Sequence, residues 1–179
     1  MQDRTLDARM PAAETFQGKM MGDANTEVPD WLAKASDNVR ALYLYWRTKC
    51  HDGRLPRRTD IDPTEIPKLL PYLTIVEVVD DERRYVYRLV GTKEVEISGQ
   101  DPTGKSVAEA YYGPSVEEAH VFYNQVVASA RPVYDDSPFV GPDGRYNDDE
   151  MLFLPLAEDG RKVSRILLIT RCSLTPDFA

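Results

Sequence analysis

The sequence has few of the residues that build metal centres and disulfide frameworks. It contains two cysteines and two histidines in 179 residues. Cys50 and Cys172 are far apart and form no CxxC pair, and His51 is the only histidine beside a cysteine. Metal-binding and disulfide-rich domains need several such residues at short, regular spacings. We therefore expect neither a zinc site nor a disulfide framework.

Long apolar runs and an excess of basic charge are also missing. No uninterrupted apolar stretch approaches the roughly 18 residues of a membrane span, and the start MQDRTLDARM lacks the apolar core of a secretory signal. Lys and Arg number 22 against 30 Asp and Glu, so the formal net charge is −8. A chain of that sign repels phosphate backbones. We expect a cytoplasmic protein with neither a membrane nor a nucleic acid as partner.

The composition is that of one ordinary globular domain, with 42% hydrophobic and 29% charged residues. The chain is too short for a dinucleotide enzyme with a separate substrate domain. Residues 1–28 show little apolar periodicity and are interpreted as a disordered tail. We expect an amphipathic helix over residues 29–53, a folded domain over 54–174 and a short tail over 175–179.

The first helix is predicted from apolar residues that recur in steps of three and four. They are Leu32, Ala35, Val39, Leu42 and Trp46. On a helix they form a narrow apolar seam, which needs a partner surface. Two partners fit, a second copy of the helix or the outer face of the domain's own sheet. We expect a homodimer through Leu32, Val39, Leu42 and Trp46, with packing in cis as the alternative.

The rest of the chain alternates between strand and helix signals. Asp62, Pro63 and Glu65 indicate a capped, kinked turn that leads into a strand over 73–79. A second strand is expected over 84–90, short helices over 92–98 and 106–111, a longer helix from Ser115 to about Ala130, and strands near 133–139, 147–156 and 163–173. This order predicts an α+β fold, a five-stranded antiparallel sheet with the helical crossover on one face.

Several stretches in this order resemble a bacterial subfamily of PAS domains. They are LPRRTDIDPTEIPKLLPYL, YVYRLVGT, GQDPTGKSV, ARPV and LPLAEDGRKVSRIL, and the resemblance covers about residues 54–174. It implies a PAS-like fold with a small cavity between sheet and helices, and a sensory or protein-interaction module of bacterial signalling systems. The chain ends soon after the last predicted strand, so we expect output through a separate signalling protein or through oligomerisation.

Strand alternation predicts which side chains face that cavity. Uncharged positions should face the helices, which places Tyr85, Tyr87 and Leu89 inward on the second strand and Thr170 and Cys172 inward on the last. His120 and Tyr123 share the apolar stripe of the long helix. The predicted ligand-binding residues are Tyr85, Tyr87, His120, Tyr123 and Thr170. They suit a small neutral or weakly polar metabolite. The alternative is a filled core whose hydroxyls satisfy backbone groups.

Cofactor and metal hypotheses are weaker. In some PAS sensors a histidine on the equivalent helix ligates haem iron, but His120 is more simply a pocket-edge histidine bonded to a tyrosine or water. Flavin photochemistry requires a cysteine on a short helix, and neither Cys50 nor Cys172 lies on one. Haem and flavin are therefore not expected. The run 147–150, Asn-Asp-Asp-Glu, is interpreted as a solvated loop, and Arg57-Arg58 as part of a local charge network.

Two other functions remain open. A small cone-shaped α+β enzyme would need an acidic residue or histidine pair aimed into the pocket. The strand residues predicted to face inward include no carboxylate, so no enzymatic activity is expected. A structural, partner-binding domain with a filled core is the third possibility.

Overall fold

The computed structural model describes residues 28–111, 115–137, 139–140 and 146–173, with side chains for all but 139–140, 146–149 and 172–173. The predicted tails lie outside what is described, apart from Val28, and so does residue 174. The predicted inward side chain of Cys172 lies outside it as well. None of the helices in the described ranges combines the length and the hydrophobicity that a membrane span needs.

The elements follow the predicted order. The α-helices are α1 (Asp37–Lys49), α2 (Thr92–Ser98), α3 (Val107–Ala110) and α4 (Val116–Ser129). The strands are β1 (Leu73–Val78), β2 (Tyr85–Val90), β3 (Val133–Asp135), β4 (Phe139–Val140), β5 (Tyr146–Leu156) and β6 (Arg165–Ser173). Short 3₁₀ turns lie at Asp30–Ala33, Arg58–Asp60, Pro63–Glu65 and Leu70–Tyr72.

The five predicted strands form one antiparallel sheet in the order β2-β1-β6-β5-β3. The predicted α+β fold is therefore confirmed. The strand expected over 133–139 is divided into β3 and β4, and β4 pairs with β5 outside this order. Four antiparallel pairings separate β2 from β3, so these two edge strands run in the same direction, and helices α2, α3 and α4 form the long crossover between them.

Helices α3 and α4 begin at serine residues that cap them. Ser106 and Glu109 form a reciprocal capping box at the start of α3. Ser115 Oγ accepts the backbone N–H of Glu118 at the start of α4, 3.1 Å away. Each cap satisfies backbone N–H groups that have no partner within the helix. These caps fix where α3 and α4 begin above the inner face of the sheet.

The inner face of the sheet and the crossover helices enclose one apolar layer. Val76, Ile166 and Leu168 of the sheet pack there with Ala119 and Val126 of α4, and all five are buried. The three sheet residues of this layer are uncharged, in agreement with the expectation that uncharged strand positions face the helices. The layer also holds the predicted tyrosines.

The outer face is covered by α1 of the same chain. Ile75, Leu167 and Ile169 are buried against the helix, as predicted for the outer face. The indole Nε1 of Trp46 donates a hydrogen bond to the carbonyl oxygen of Pro155 on β5, 3.0 Å away. The helix is therefore part of the domain core, whereas the sequence interpretation placed it outside.

The predicted helix over 29–53 is shorter and interrupted. A 3₁₀ turn covers Asp30–Ala33, the backbone is extended at Ser36, and α1 ends at Lys49. The backbone N–H of Ser36 donates to the Glu150 carboxylate, 2.8 Å away, so the first turn of α1 is held against β5. Periodicity alone could not locate this break, because the seam residues on both sides of Ser36 face the same sheet.

The residues proposed for a homodimer interface are buried within the chain. Leu32, Val39, Leu42 and Trp46 are 8%, 0%, 0% and 5% exposed. Of the two partner surfaces considered for the seam, the structure shows the sheet of the same chain. These side chains are therefore not on the surface, and a homodimer that used them would have to exchange α1 between two copies.

The predicted inward orientation of Leu89 is wrong. Ile75 pairs with Leu89 while the next residue, Val76, pairs with Tyr87, so Arg88 is an extra residue on β2. Such a bulge changes the alternation of side chains along the strand. Leu89 is consequently 41% exposed.

The acidic run over 147–150 is not a loop, since its backbone lies within β5. Glu150 is 7% exposed and accepts hydrogen bonds from the Ser36 backbone and from the Tyr134 hydroxyl, 2.8 and 3.0 Å away. A buried carboxylate needs such donors. This residue therefore connects α1, β3 and β5.

Candidate ligand-binding site between the sheet and helix α4

Three predicted site residues form an aromatic cluster on the inner face. The rings of Tyr85 on β2 and Tyr123 on α4 stack with their centroids 5.0 Å apart. Phe153 of β5 meets the Tyr123 ring edge-on at 5.3 Å. Tyr87, two residues after Tyr85, lies on the same face of β2 and in the same buried layer. The structure thus brings Tyr85, Tyr87 and Tyr123 together as predicted.

The phenol groups of Tyr87 and Tyr123 are close enough to influence each other's pKa. Burial raises the pKa of Tyr123 well above its usual value of 10.0, and the neighbouring Tyr87 raises it further. Burial also raises the pKa of Tyr87, while the neighbouring Tyr123 opposes that rise. Both phenols are therefore neutral at physiological pH, so each keeps its proton as a hydrogen-bond donor.

A carboxylate also lies near this pair. Glu94 on α2 is close enough to Tyr87 and Tyr123 to contribute to the rise of both pKa values. Tyr111, just after α3, acts on both phenols in the same way. The sequence interpretation looked for carboxylates among the inward-facing strand residues alone, so it did not include Glu94. Glu94 was missed because α2 has seven residues, which is too short for a clear amphipathic pattern.

Asn124 is a further polar residue that the sequence interpretation missed. Its Oδ1 accepts a hydrogen bond from the Tyr85 hydroxyl at 2.6 Å and another from Arg84 Nη2 at 2.9 Å. Arg84 has a positive φ of 55°, which is rare for a residue other than glycine. The spacing of four residues between His120 and Asn124 was the available signal, because it places both on one side of α4.

His120 lies at the edge of the aromatic cluster. Its ring centroid is 5.6 Å from that of Tyr85, and the residue is half-buried. Its Nε2 atom is inaccessible to solvent and has no hydrogen-bond partner among the described residues. The predicted bond to a tyrosine is therefore not found there, since the Tyr85 hydroxyl donates to Asn124 instead.

Thr170 is the one predicted site residue that lies apart from the tyrosines. It is half-buried on β6 and pairs with Met151 of β5. Val76 of β1 pairs with Tyr87 of β2 on one side and with Ile166 of β6 on the other, so Ile166 is the β6 residue level with Tyr87. Thr170 is four residues further along, which is about 13 Å of extended strand. It belongs to the same face but not to the tyrosine cluster.

The residues present fit the two cofactors to different degrees. Flavin adduct chemistry needs a cysteine on the short helices, and neither α2 nor α3 contains one. For haem, the buried Nε2 of His120 is one suitable ligand atom. Within the described ranges, no three His, Cys, Asp or Glu side chains approach closely enough to hold a metal ion. The expectation that haem and flavin are absent stays a prediction.

The sheet order and the helical crossover over one face define an α+β domain with a buried aromatic cluster between its two layers. A family model described as PAS domain matches residues 34–170. The chain therefore belongs to the PAS domain family, whose members are sensory modules of signalling proteins. The match begins before α1, in agreement with the packing of that helix in the core. A search of curated proteins gave no significant match.

Solved structures of PAS and LOV domains are similar to this chain. The PAS domain of BvgS from Bordetella pertussis has 16% identity and a TM-score of 0.47, over 63% of this chain and 88% of that one. The LOV domain of the blue-light activated histidine kinase EL346 from Erythrobacter litoralis has 16% identity and a TM-score of 0.44, over 57% and 96%. The PAS domain of the fruit-fly ELK potassium channel has 12% identity and a TM-score of 0.44, over 61% and 91%. These likenesses are too distant to assign a ligand.

Proposed function

We propose that this PAS domain senses a small, uncharged molecule that binds at the tyrosine cluster, and that it performs no catalysis. The observation that carries this proposal is a set of polar groups in or beside an otherwise apolar layer. They are the hydroxyls of Tyr87 and Tyr123, the nearby Glu94 carboxylate and, at the edge of the aromatic cluster, the buried Nε2 of His120. Binding sites for small molecules combine apolar walls with a few polar groups that fix orientation.

The chemistry of these groups favours a ligand with its own hydrogen-bonding atoms. The two phenols remain protonated because burial raises the pKa of each, so they can donate to a carbonyl or hydroxyl oxygen. The Nε2 of His120 has no partner among the described residues, and a buried polar atom without a partner costs free energy. A ligand that bonds to this atom would remove that cost on binding.

Thermal melting tests the proposal. Uncharged phenols, amides and short alcohols are screened for compounds that raise the Tm of the protein. A compound that raises the Tm of the wild type should raise it much less in Tyr87→Phe and His120→Ala. Val121→Ala serves as control, because Val121 is the neighbour of His120 on α4 and is 60% exposed. Equal shifts in all four proteins would contradict the proposed site.

Glu94 supports a second candidate function, a small enzyme with a pocket base. A carboxylate beside two neutral phenols is a plausible combination of base and proton donors. In that case a compound that raises the Tm would also be converted slowly by the wild type. Conversion should disappear in Glu94→Gln while the Tm shift remains. If the compound were recovered unchanged from the wild type, the enzyme function would be contradicted and the sensor function would remain.

Cofactor binding is proposed to be absent, and absorbance spectra test it. Freshly purified protein, and protein incubated with haem or with flavin mononucleotide and then desalted, should show no Soret band and no flavin absorption. A retained Soret band that disappears in His120→Ala would overturn the expectation for haem. Retained flavin absorption would overturn it for flavin.

We also propose a cytoplasmic homodimer that signals through a separate protein. Light scattering should give twice the mass of the 20.3 kDa chain. Since the seam of α1 is buried in cis, Leu42→Glu should unfold the protein rather than yield folded monomers. Cell fractionation tests the location, and a monomeric mass for the wild type would exclude the dimer.

A further inference from the structure

A second concave surface lies away from the tyrosine cluster. It is a cleft of about 1320 Å³ where the C-terminal ends of α1 and α4 meet the turn between β5 and β6. None of the predicted ligand-binding residues lines it. Arg54, Arg131 and Arg161 line it from three different segments, and all three are exposed. We call it the arginine cleft.

Two of the four carboxylates of the arginine cleft are paired with arginines, and a third is hydrogen-bonded by the backbone. Asp60 pairs with Arg57 at 3.0 Å, and Glu158 pairs with Arg165. Asp159 accepts two backbone N–H groups of its own turn, each 2.8 Å away. The pairing of Arg57 confirms the predicted local charge network.

The three arginines, in contrast, form no ion pair in the part of the chain that the structure describes. Of the cleft carboxylates, Asp52 alone has no ion pair or side-chain hydrogen bond among the described residues. Three guanidinium charges against the carboxylates of Asp52 and Asp159 leave a local positive charge of about one. On a chain with a net charge of −8, this is a marked segregation of basic charge.

The backbone holds two of these arginines beside one another. The N–H of Leu55 donates to the carbonyl oxygen of Gly160, 3.0 Å away, which joins the segment after α1 to the β5–β6 turn. Gly160 has a positive φ of 76°, and a Cβ there would lie 3.2 Å from Arg54 Cβ and Cδ. The Arg54 stem therefore crosses the glycine and brings its guanidinium near the turn that carries Arg161.

Part of the lining of the cleft is apolar. Trp46, which is 5% exposed and fixed by its bond to Pro155, lines it together with Leu55, Ala130 and Pro132. A cleft lined by apolar side chains and free guanidinium groups offers two kinds of contact at once, packing for an organic body and bidentate hydrogen bonds for oxyanions.

We infer that the arginine cleft binds an organic phosphate, a small molecule with an apolar or aromatic body and at least two phosphate charges. The planar guanidinium group matches phosphate oxygens in a way that an ammonium group does not. All three free cations of the cleft are arginines, and its lysine, Lys49, is paired with Glu65. A phosphate-bearing effector at this site would contact α1, α4 and the β5–β6 turn together.

Isothermal titration calorimetry with ADP as probe tests the inference. ADP should bind the wild type, with an affinity that falls as salt concentration rises. Arg54→Gln, Arg131→Gln and Arg161→Gln should each weaken ADP binding about tenfold, the cost of one charged hydrogen-bonding group. Arg83→Gln removes the same charge from the β1–β2 turn, where Arg83 pairs with Asp81, and should bind ADP as the wild type does.

Two further probes test the phosphate and the organic part of the ligand separately. A variant of the tyrosine cluster tests whether the two sites are independent. Pyrophosphate and adenosine should each bind more weakly than ADP, because each lacks one kind of contact. His120→Ala should leave ADP binding unchanged, since the tyrosine cluster is a different site. Equal losses in Arg83→Gln and the cleft variants, or no ADP binding by the wild type, would overturn the site. Pyrophosphate binding as tight as that of ADP would overturn the organic ligand class.

Discussion

The hydroxyl of Tyr85 donates a hydrogen bond to Oδ1 of Asn124 over 2.6 Å. This bond joins the edge strand β2 to the crossover helix α4 directly above the buried tyrosine pair. The same Oδ1 accepts from Arg84, so one amide oxygen connects two consecutive residues of β2 to the helix. A ligand at the cluster that displaced either bond would move α4 relative to the sheet.

Removal of this hydroxyl should have a measurable effect on stability. Tyr85→Phe should lower the free energy of unfolding by about 1 kcal/mol, the usual net value of one hydrogen bond. Tyr72→Phe is a suitable control, because its hydroxyl forms no hydrogen bond within the described residues. Urea unfolding measures both. The same loss in the two variants would mean that the bond to Asn124 contributes nothing specific.

The packing of α1 in cis predicts a sharp contrast between two leucines of one helix. Leu42 is 0% exposed and Leu44 is 47% exposed. Leu42→Ala should lower the free energy of unfolding by about 2–5 kcal/mol, the range for buried leucines. Leu44→Ala should change it by less than about 0.5 kcal/mol. If Leu42→Ala were as stable as Leu44→Ala, α1 would not cover this sheet in solution.

Gly91 is required because of a close approach rather than an unusual backbone conformation. Its φ is −64°, but a Cβ would lie 2.2 Å from the carbonyl oxygen of Pro71. Gly91→Ala should therefore lower the free energy of unfolding by about 3 kcal/mol or more, since two backbone segments would have to separate.

Gly99 is the comparison for this prediction. It has a φ of 73° and open space around it, so Gly99→Ala should cost about 1–2 kcal/mol from backbone strain alone. Urea unfolding of both variants measures the difference. A smaller loss in Gly91→Ala than in Gly99→Ala would contradict the tight contact with Pro71.

The tyrosine pair predicts loss of stability at alkaline pH. Burial raises the pKa of Tyr87 and Tyr123 in the folded protein above the usual value of 10.0. Above about pH 10 the unfolded chain releases these protons while the folded chain retains them. The unfolded state then binds fewer protons, so the free energy of unfolding falls as pH rises. Below about pH 10 both tyrosines are protonated in the folded and in the unfolded state, so the two states bind the same number of protons at these positions.

Urea unfolding at about pH 9 and about pH 11 measures this fall. Tyr87→Phe and Tyr123→Phe should each show a smaller fall than the wild type, because each has one raised phenol fewer. Tyr72→Phe again serves as the control and should fall as the wild type does. A fall of equal size in all three variants would assign it to other groups.

Much of the tyrosine cluster was predictable from the strand pattern. Tyr85 and Tyr87 were placed inward by alternation, and Tyr123 by the apolar stripe of α4, and all three meet in one layer. Glu94 and Asn124 were not predicted. Each depends on where a short helix or one helical turn lies above the sheet, and neither position follows from periodicity. Leu89 was assigned to the wrong face because Arg88 is an extra, bulged residue of β2, and no local sequence pattern indicates this bulge.

The sequence by itself determined the order of the elements, the strand faces apart from that of Leu89, and the caps of α3 and α4, because periodicity and capping residues are local properties. Only the tertiary structure decided which surface α1 covers, where its helix breaks and which charges remain unpaired around the arginine cleft. Those features depend on contacts between segments far apart in the chain. Ser36 and Glu150, for example, are 114 residues apart and yet share one hydrogen bond.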